Sequence, residues 1–126
     1  MLTKIEEKDL IFTNEIEDDR TNTFLSLNDY DWMDYQLKTR FKTENLGILD
    51  VIFNYFGLTT SEMIVKQRID DKEREYLFKY DTEIFKKYLI KFLKLHIESW
   101  NSTFAFYGGD IVLEFYNEVI ESGELK

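Results

Sequence analysis

Residues 76–99, YLFKYDTEIFKKYLIKFLKLHIES, decide the fold class, because their hydrophobic period changes at Asp81. Before this point the aromatic residues recur at every second position, as in a strand: Tyr76, Phe78 and Tyr80. After it, one narrow polar stripe at helical spacing holds Lys87, Lys91, Lys94 and Glu98. The stretch therefore predicts a strand, an N-cap at Asp81 and a largely buried helix over residues 82–99, and with them an α+β fold.

Further strands are predicted on the N-terminal side of this helix. Residues 62–80 favour a hairpin, although Thr59 and Glu62 could instead form a capping box that opens a helix. Residues 9–28 indicate a second hairpin, with its turn at residues 17–20. Residues 31–42 alternate more clearly as a single strand, and one face of it would hold Met33, Tyr35, Leu37, Thr39 and Phe41. A small antiparallel sheet follows from these patterns.

Two more helices are predicted, which makes about three in all. Residues 44–56 carry a broad apolar arc, with Thr43 or Asn45 as N-cap and Gly57 as a left-handed C-cap. Residues 110–122 begin at a capping aspartate, Asp110, and would direct four polar residues outward: Glu114, Asn117, Glu118 and Glu121. The expected architecture is thus a single compact domain, residues 1–126, in which the sheet packs against these helices.

Composition limits the class of protein. The chain has 126 residues, is 44% hydrophobic and contains no cysteine, which excludes disulfides, thiolate metal sites and a cysteine nucleophile. Its start has no apolar run typical of a signal peptide, and lysines interrupt its apolar stretches, so a cytoplasmic protein without a membrane span is expected. No cofactor and no metal site are predicted, and the absence of a catalytic motif favours a protein that is not an enzyme.

The charge distribution indicates the kind of partner. The net charge is -9, and the acidic excess lies towards the two ends of the sequence. Such a field repels nucleic acids and anionic membranes and attracts basic proteins, although acidity can also serve solubility alone. In size, acidity and lack of catalytic motifs, the chain resembles small toxin-immunity proteins in general character.

Residues 29–35 are predicted to hold the binding site. In the strand phase given above, Tyr30 and Trp32 point away from the main core, and both are residue types enriched at binding hot spots. The carboxylates that would pair with a basic partner are Asp31, Asp34, Glu17, Asp18 and Asp19. The alternative is that a helix covers this face, which would make Trp32 part of the core.

The main functional hypothesis is therefore an acidic inhibitor or immunity-type protein that binds and blocks a basic partner, such as a nuclease toxin. A second hypothesis is a small enzyme or ligand-binding domain whose pocket involves His96, the only histidine. Structural roles explain a lone histidine on an apolar helix face more often than catalysis does. A nucleic-acid-mimicking inhibitor and a structural subunit of a larger assembly are further alternatives.

Overall fold

The computed structural model describes residues 2–11, 21–27, 35–95, 103–106 and 109–126. This part of the chain contains a short 3-10 turn at Glu7–Asp9, seven strands and two helices. The strands are β1 (Thr21–Leu27), β2 (Tyr35–Lys42), β3 (Ile48–Tyr55), β4 (Thr60–Ile69), β5 (Lys72–Asp81), β6 (Thr103–Phe106) and β7 (Glu124–Leu125). The helices are α1 (Thr82–Leu95) and α2 (Gly109–Ser122). The expected α+β class is confirmed.

All seven strands belong to one antiparallel sheet, in the order β6-β1-β2-β3-β4-β5-β7. From β1 to β5 each strand pairs with the next one in the chain, which gives a meander. The residues from α1 onward take the chain from β5 to β6 at the opposite edge, where β6 pairs with β1. Helix α2 then leads back to β7, which pairs with the outer edge of β5.

One face of this sheet is covered by the helices. On β2, Leu37, Thr39 and Phe41 are buried, and the intervening Lys38 and Arg40 are exposed, as the alternation predicts. Phe115 of α2 lies at the centre of the covered face, where its ring stacks on Phe53 with a centroid separation of 3.9 Å. It also stacks on Tyr88 of α1 and meets two further rings edge-on, those of Tyr80 and Phe85. Aromatic packing therefore joins the sheet to both helices.

The N-terminal residues contribute to this core. Leu2 and Ile5 are buried. The side-chain amide of Asn117 accepts a hydrogen bond from the Ile5 N–H and donates one to the Ile5 carbonyl oxygen, both at 2.8 Å. The Tyr116 hydroxyl donates to the Thr3 carbonyl oxygen at 3.1 Å. Asn117, which the helical pattern assigned to solvent, instead fixes the N-terminal segment against α2.

The helix predicted at residues 44–56 is wrong, because this segment forms β3. The Thr43 hydroxyl does accept the Leu46 N–H at 2.8 Å, as an N-cap would, but Gly47, at φ +73°, then turns the chain into a strand. Strand β3 lies between β2 and β4, and its apolar residues occur on both faces of the sheet. A central strand of this kind lacks a clear period of two, so its pattern resembles that of a buried helix.

The remaining predictions of strands and helices agree with the structure to different degrees. Strands β4 and β5 pair antiparallel across a tight turn at Asp70 and Asp71, in the region where a hairpin was favoured. The hairpin near residues 9–28 is not confirmed, because β2 and β6 occupy both edges of β1 over Thr23–Ser26, and residues 12–20 lie outside the described part. Helices α1 and α2 match the predictions for 82–99 and 110–122 as far as the chain is described. Two helices are described, not three.

Candidate protein-binding surface

The residues that the sequence singled out for partner binding lie outside the described part of the chain. They are Glu17, Asp18, Asp19, Tyr30, Asp31, Trp32 and Asp34, and the same holds for His96. Residues 12–20 and 28–34 together contain seven acidic residues and one base, Arg20, so these two connections contribute -6 of the net charge of -9. The acidity that suggested a basic partner is thus concentrated immediately before and after β1.

The described part fixes where the second of these connections joins the sheet. Tyr35, the first residue of β2, pairs with Tyr55, the last residue of β3, and the two rings are 5.6 Å apart. Phe56 follows Tyr55 directly and begins the loop between β3 and β4. The chain therefore returns from residues 28–34 at the same end of the sheet that carries this loop.

The β3–β4 loop, residues 56–59, exposes two large apolar side chains. Phe56 is 44% exposed and Leu58 is 64% exposed. Gly57 between them has φ +73°, a conformation that suits glycine, and the loop turns sharply there. Isolated apolar residues on a surface are ordinary, whereas two on one four-residue loop make a small patch.

Hydrogen bonds hold this loop against the start of α1. The Thr82 hydroxyl donates to the Leu58 carbonyl oxygen at 2.6 Å, and the Thr82 N–H donates to the Thr59 carbonyl oxygen at 3.0 Å. The Ser61 hydroxyl lies 2.8 Å from the same Thr82 oxygen. Because Ser61 and Thr82 are buried, these bonds are shielded from water. The exposed Leu58 side chain is thus presented by an anchored backbone.

Acidic side chains flank this patch at the first turn of α1. An oxygen of the Asp81 carboxylate accepts the Glu83 N–H at 2.9 Å, which confirms the predicted N-cap and fixes the orientation of the carboxylate. Glu83 is exposed and forms a 3.4 Å ion pair with Lys86, which is weak because both side chains are in solvent. Glu83 can therefore turn to a basic partner at little cost, whereas the Asp81 carboxylate is held in place as the cap.

The loop and the helix start enclose a shallow concavity of about 420 Å3. It is lined by Tyr55, Gly57, Leu58, Thr59, Asp81, Thr82, Glu83 and Lys86. Apolar atoms of the loop thus face carboxylates of the helix across one open depression. We call this feature the loop–helix cleft. A partner side chain with an aliphatic stem and a cationic end, lysine or arginine, matches both parts of it.

Two lysines of the polar stripe on α1, Lys87 and Lys91, have a structural role. Lys87 pairs with Glu118 of α2 at 2.6 Å, and Lys91 approaches Glu114 at 3.5 Å. The Tyr88 hydroxyl also donates to Glu118, at 2.7 Å. Partial burial acts to raise the pKa of Glu118, but the Lys87 ammonium and the Tyr88 hydroxyl outweigh it, so the pKa is lowered. These lysines join α1 to α2, which sequence alone could not reveal.

Two other features, a metal site and a membrane-spanning helix, were looked for in the described residues. Among them, no three histidine, cysteine or acidic side chains come together in a way that could hold a metal ion. Within the same residues, no helix is long and apolar enough to cross a membrane. Comparisons with known protein families, with curated proteins and with solved structures found no match.

Proposed function

We propose that this chain is a protein-binding module that blocks a basic partner, in the manner of immunity proteins that inhibit toxins such as nucleases. The observation that carries the proposal is the loop–helix cleft. There, the exposed Leu58 side chain on an anchored loop lies beside the carboxylates of Asp81 and Glu83. Apolar side chains with a polar rim around them are the usual anatomy of a protein–protein interface.

Binding and steering are divided between two groups of residues in this proposal. Phe56 and Leu58 provide apolar contact area, and their anchored loop loses little conformational entropy on binding. The acidic residues before and after β1 attract a basic protein over longer distances and speed its encounter. Occlusion of the partner's basic surface then inhibits it, and no chemical step is needed.

Some of the residues predicted from sequence precede this surface directly along the chain. Residues 28–34, which include Tyr30, Asp31, Trp32 and Asp34, lead directly into Tyr35, whose partner Tyr55 lines the loop–helix cleft. We propose that Trp32 is a second anchor, with Asp31 and Asp34 as its acidic neighbours. Glu17, Asp18 and Asp19 belong to the other connection and are assigned to steering.

The first test is an affinity pull-down from source-cell lysate at low and high salt, with bound proteins identified by mass spectrometry. We expect a stoichiometric basic protein that is held more weakly at high salt, because screening weakens the attraction between opposite charges. Recovery of no such protein at either salt concentration would contradict the proposal.

The cleft itself is tested with that purified partner by calorimetric titration. Leu58→Ala should weaken binding about tenfold or more, as loss of an anchor does. Ile90→Ala is the matched control, because Ile90 is 54% exposed on α1 and does not line the cleft. Equal affinity of the two variants would exclude the cleft as the contact surface.

Steering is tested separately by stopped-flow association. Asp31→Asn combined with Asp34→Asn should lower the association rate constant at low salt and leave it nearly unchanged at high salt. Trp32→Ala should weaken binding while the unfolding midpoint stays the same. A large loss of stability in Trp32→Ala would show that this residue belongs to the core.

A further inference from the structure

The outer edge of β5 is only partly paired. Strand β7 pairs with Phe78 and Lys79, and the Lys126 N–H donates to the Leu77 carbonyl oxygen at 2.8 Å. Within the described residues, no strand pairs with the outer edge from Lys72 to Tyr76. Residues 72–75 are all exposed. A free edge of this length is a template on which another strand can pair.

Register shows which backbone groups point outward at this edge. In an antiparallel pair, successive residues direct their N–H and C=O groups alternately to the two sides of the strand. Because the Leu77 carbonyl points outward to Lys126, the backbone groups of Glu75 and Glu73 point outward as well. Their side chains lie on the open face of the sheet, opposite the helices. Those of Lys72 and Arg74 belong to the covered face.

The open face carries charges that alternate in sign from strand to strand. Arg40 of β2 pairs with Asp50 of β3 at 2.7 Å, Asp50 lies opposite Lys66 of β4, and Lys66 lies opposite Glu75 of β5. In the next row, Arg68 lies opposite Glu73. Both rows end on a carboxylate at the free edge. A further strand would continue the alternation if it placed basic residues there.

A second copy of this chain does not meet that requirement. In a two-fold dimer through this edge the two β5 strands would run antiparallel, and outward-directed residues would pair with outward-directed residues. Glu73 or Glu75 would then face a glutamate of the other copy, or else Leu77. Arg74 would face Arg74, Lys72 or Tyr76. Like charges directly opposite each other destabilise a strand pair, so the pattern disfavours self-association.

We propose that the free edge of β5 accepts an extended strand from a different protein, by strand addition. The residues of that strand that face Glu73 and Glu75 are basic, and those that face Lys72 and Arg74 are acidic. Backbone hydrogen bonds to Glu73 and Glu75 supply the affinity, and the alternating charges select the sequence. This surface is separate from the loop–helix cleft, and the inference does not depend on the function proposed for the cleft.

The test uses two synthetic peptides of the same composition and net charge. The first, acetyl-Thr-Lys-Glu-Lys-Glu-Thr-amide, places its lysines on one face and its glutamates on the other. The second, acetyl-Thr-Lys-Lys-Glu-Glu-Thr-amide, mixes both charges on each face in every register. Each is titrated to millimolar concentration into the 15N-labelled chain, with amide shifts and amide exchange followed by NMR.

We expect the first peptide to bind about tenfold more tightly, as the difference of a few cross-strand charge pairs implies. The shifts and the slowed exchange should centre on the amides of Glu73 and Glu75. The variant R74E/E75R exchanges the two residues without changing composition and should lose the preference. An unchanged spectrum away from β5 shows that this variant is folded.

Three results would overturn the inference: equal affinity for the two peptides, no binding at the β5 edge, or dimerisation of the chain through that edge. Since neither peptide addresses the cleft, each of these results leaves the function proposed for the cleft standing. Conversely, failure to recover a basic partner in the pull-down would not affect the peptide result.

Discussion

Removal of one buried hydroxyl group should make this protein more stable. Tyr80 is 4% exposed, and its buried hydroxyl oxygen has no hydrogen-bond partner within the described part of the chain. Burial raises the pKa of this tyrosine, as expected for a phenol that has lost its contact with water. A buried polar group that remains unpaired costs about 1–3 kcal/mol. Tyr80→Phe removes that group and retains the ring that meets Phe115 edge-on.

We expect the free energy of unfolding to rise by about 1 kcal/mol, the lower end of that range. At about 2.1 cal/mol/K of unfolding entropy per residue, a chain of 126 residues gains about 4 °C in Tm for each kcal/mol. Calorimetry gives the Tm shift, and urea unfolding gives the change in free energy. An unchanged dependence on urea concentration would show that the folded and unfolded states are otherwise the same.

Tyr116→Phe is the matched control, with the opposite sign. Tyr116 is also buried, but its hydroxyl donates to the Thr3 carbonyl oxygen at 3.1 Å. Loss of that hydrogen bond should lower the free energy of unfolding by about 1 kcal/mol. If Tyr80→Phe destabilised the protein as much as Tyr116→Phe does, the Tyr80 hydroxyl would have a partner and the reasoning would fail.

Three further predictions concern the core, a turn and alkaline pH. Phe115→Ala should lower the free energy of unfolding, measured with urea, by about 3–5 kcal/mol, since the Phe115 ring packs against both the sheet and α1. A decrease of less than about 1 kcal/mol would contradict that packing. Gly47→Ala should lower the free energy of unfolding more than Gly57→Ala does, although both glycines have φ +73°. The reason is that a Cβ at Gly47 would lie 2.3 Å from the Arg68 carbonyl oxygen. Equal losses of free energy in the two variants would refute this steric explanation. The free energy of unfolding should also fall as pH rises above the ordinary tyrosine pKa of 10.0. Burial raises the pKa of Tyr80, Tyr88 and Tyr116 in the folded state, so the unfolded chain releases those protons first. A midpoint of urea unfolding that stayed constant above pH 10.0 would contradict the raised pKa values.

Local sequence patterns correctly predicted the elements that have one buried side and one side exposed to water. The period of two along β2 assigned Leu37, Thr39 and Phe41 to the buried face, because one side of that strand meets the helices and the other meets water. Asp81 was recognised as an N-cap because a cap depends on the nearest two or three residues alone. The positive φ of Gly57 was also expected, although it belongs to a strand turn and not to a helix end.

Patterns failed where tertiary neighbours decide the structure. Asp50 and Asn54 are four residues apart, which is the spacing of residues on one polar side of a helix. In the sheet they are two residues of one strand on the open face, paired with Arg40 and Gln36 across from them. A helix and a strand can each place these two polar side chains away from the core, so only the pairing with the neighbouring strand distinguishes the two structures. Likewise, the glutamates of α2 that bind Lys87 and Lys91 lie more than twenty residues away in sequence.

The sequence by itself determined the α+β class, the two helices as far as they are described, and the burial of alternate residues along β2, because these depend on interactions between near neighbours. Tertiary structure alone decided the strand order, the burial of the Tyr80 hydroxyl, the loop–helix cleft and the edge of β5 that is unpaired in the described part of the chain. Each of these features depends on which distant segments pack together. That packing is determined cooperatively by the whole hydrophobic core and not by any local sequence pattern.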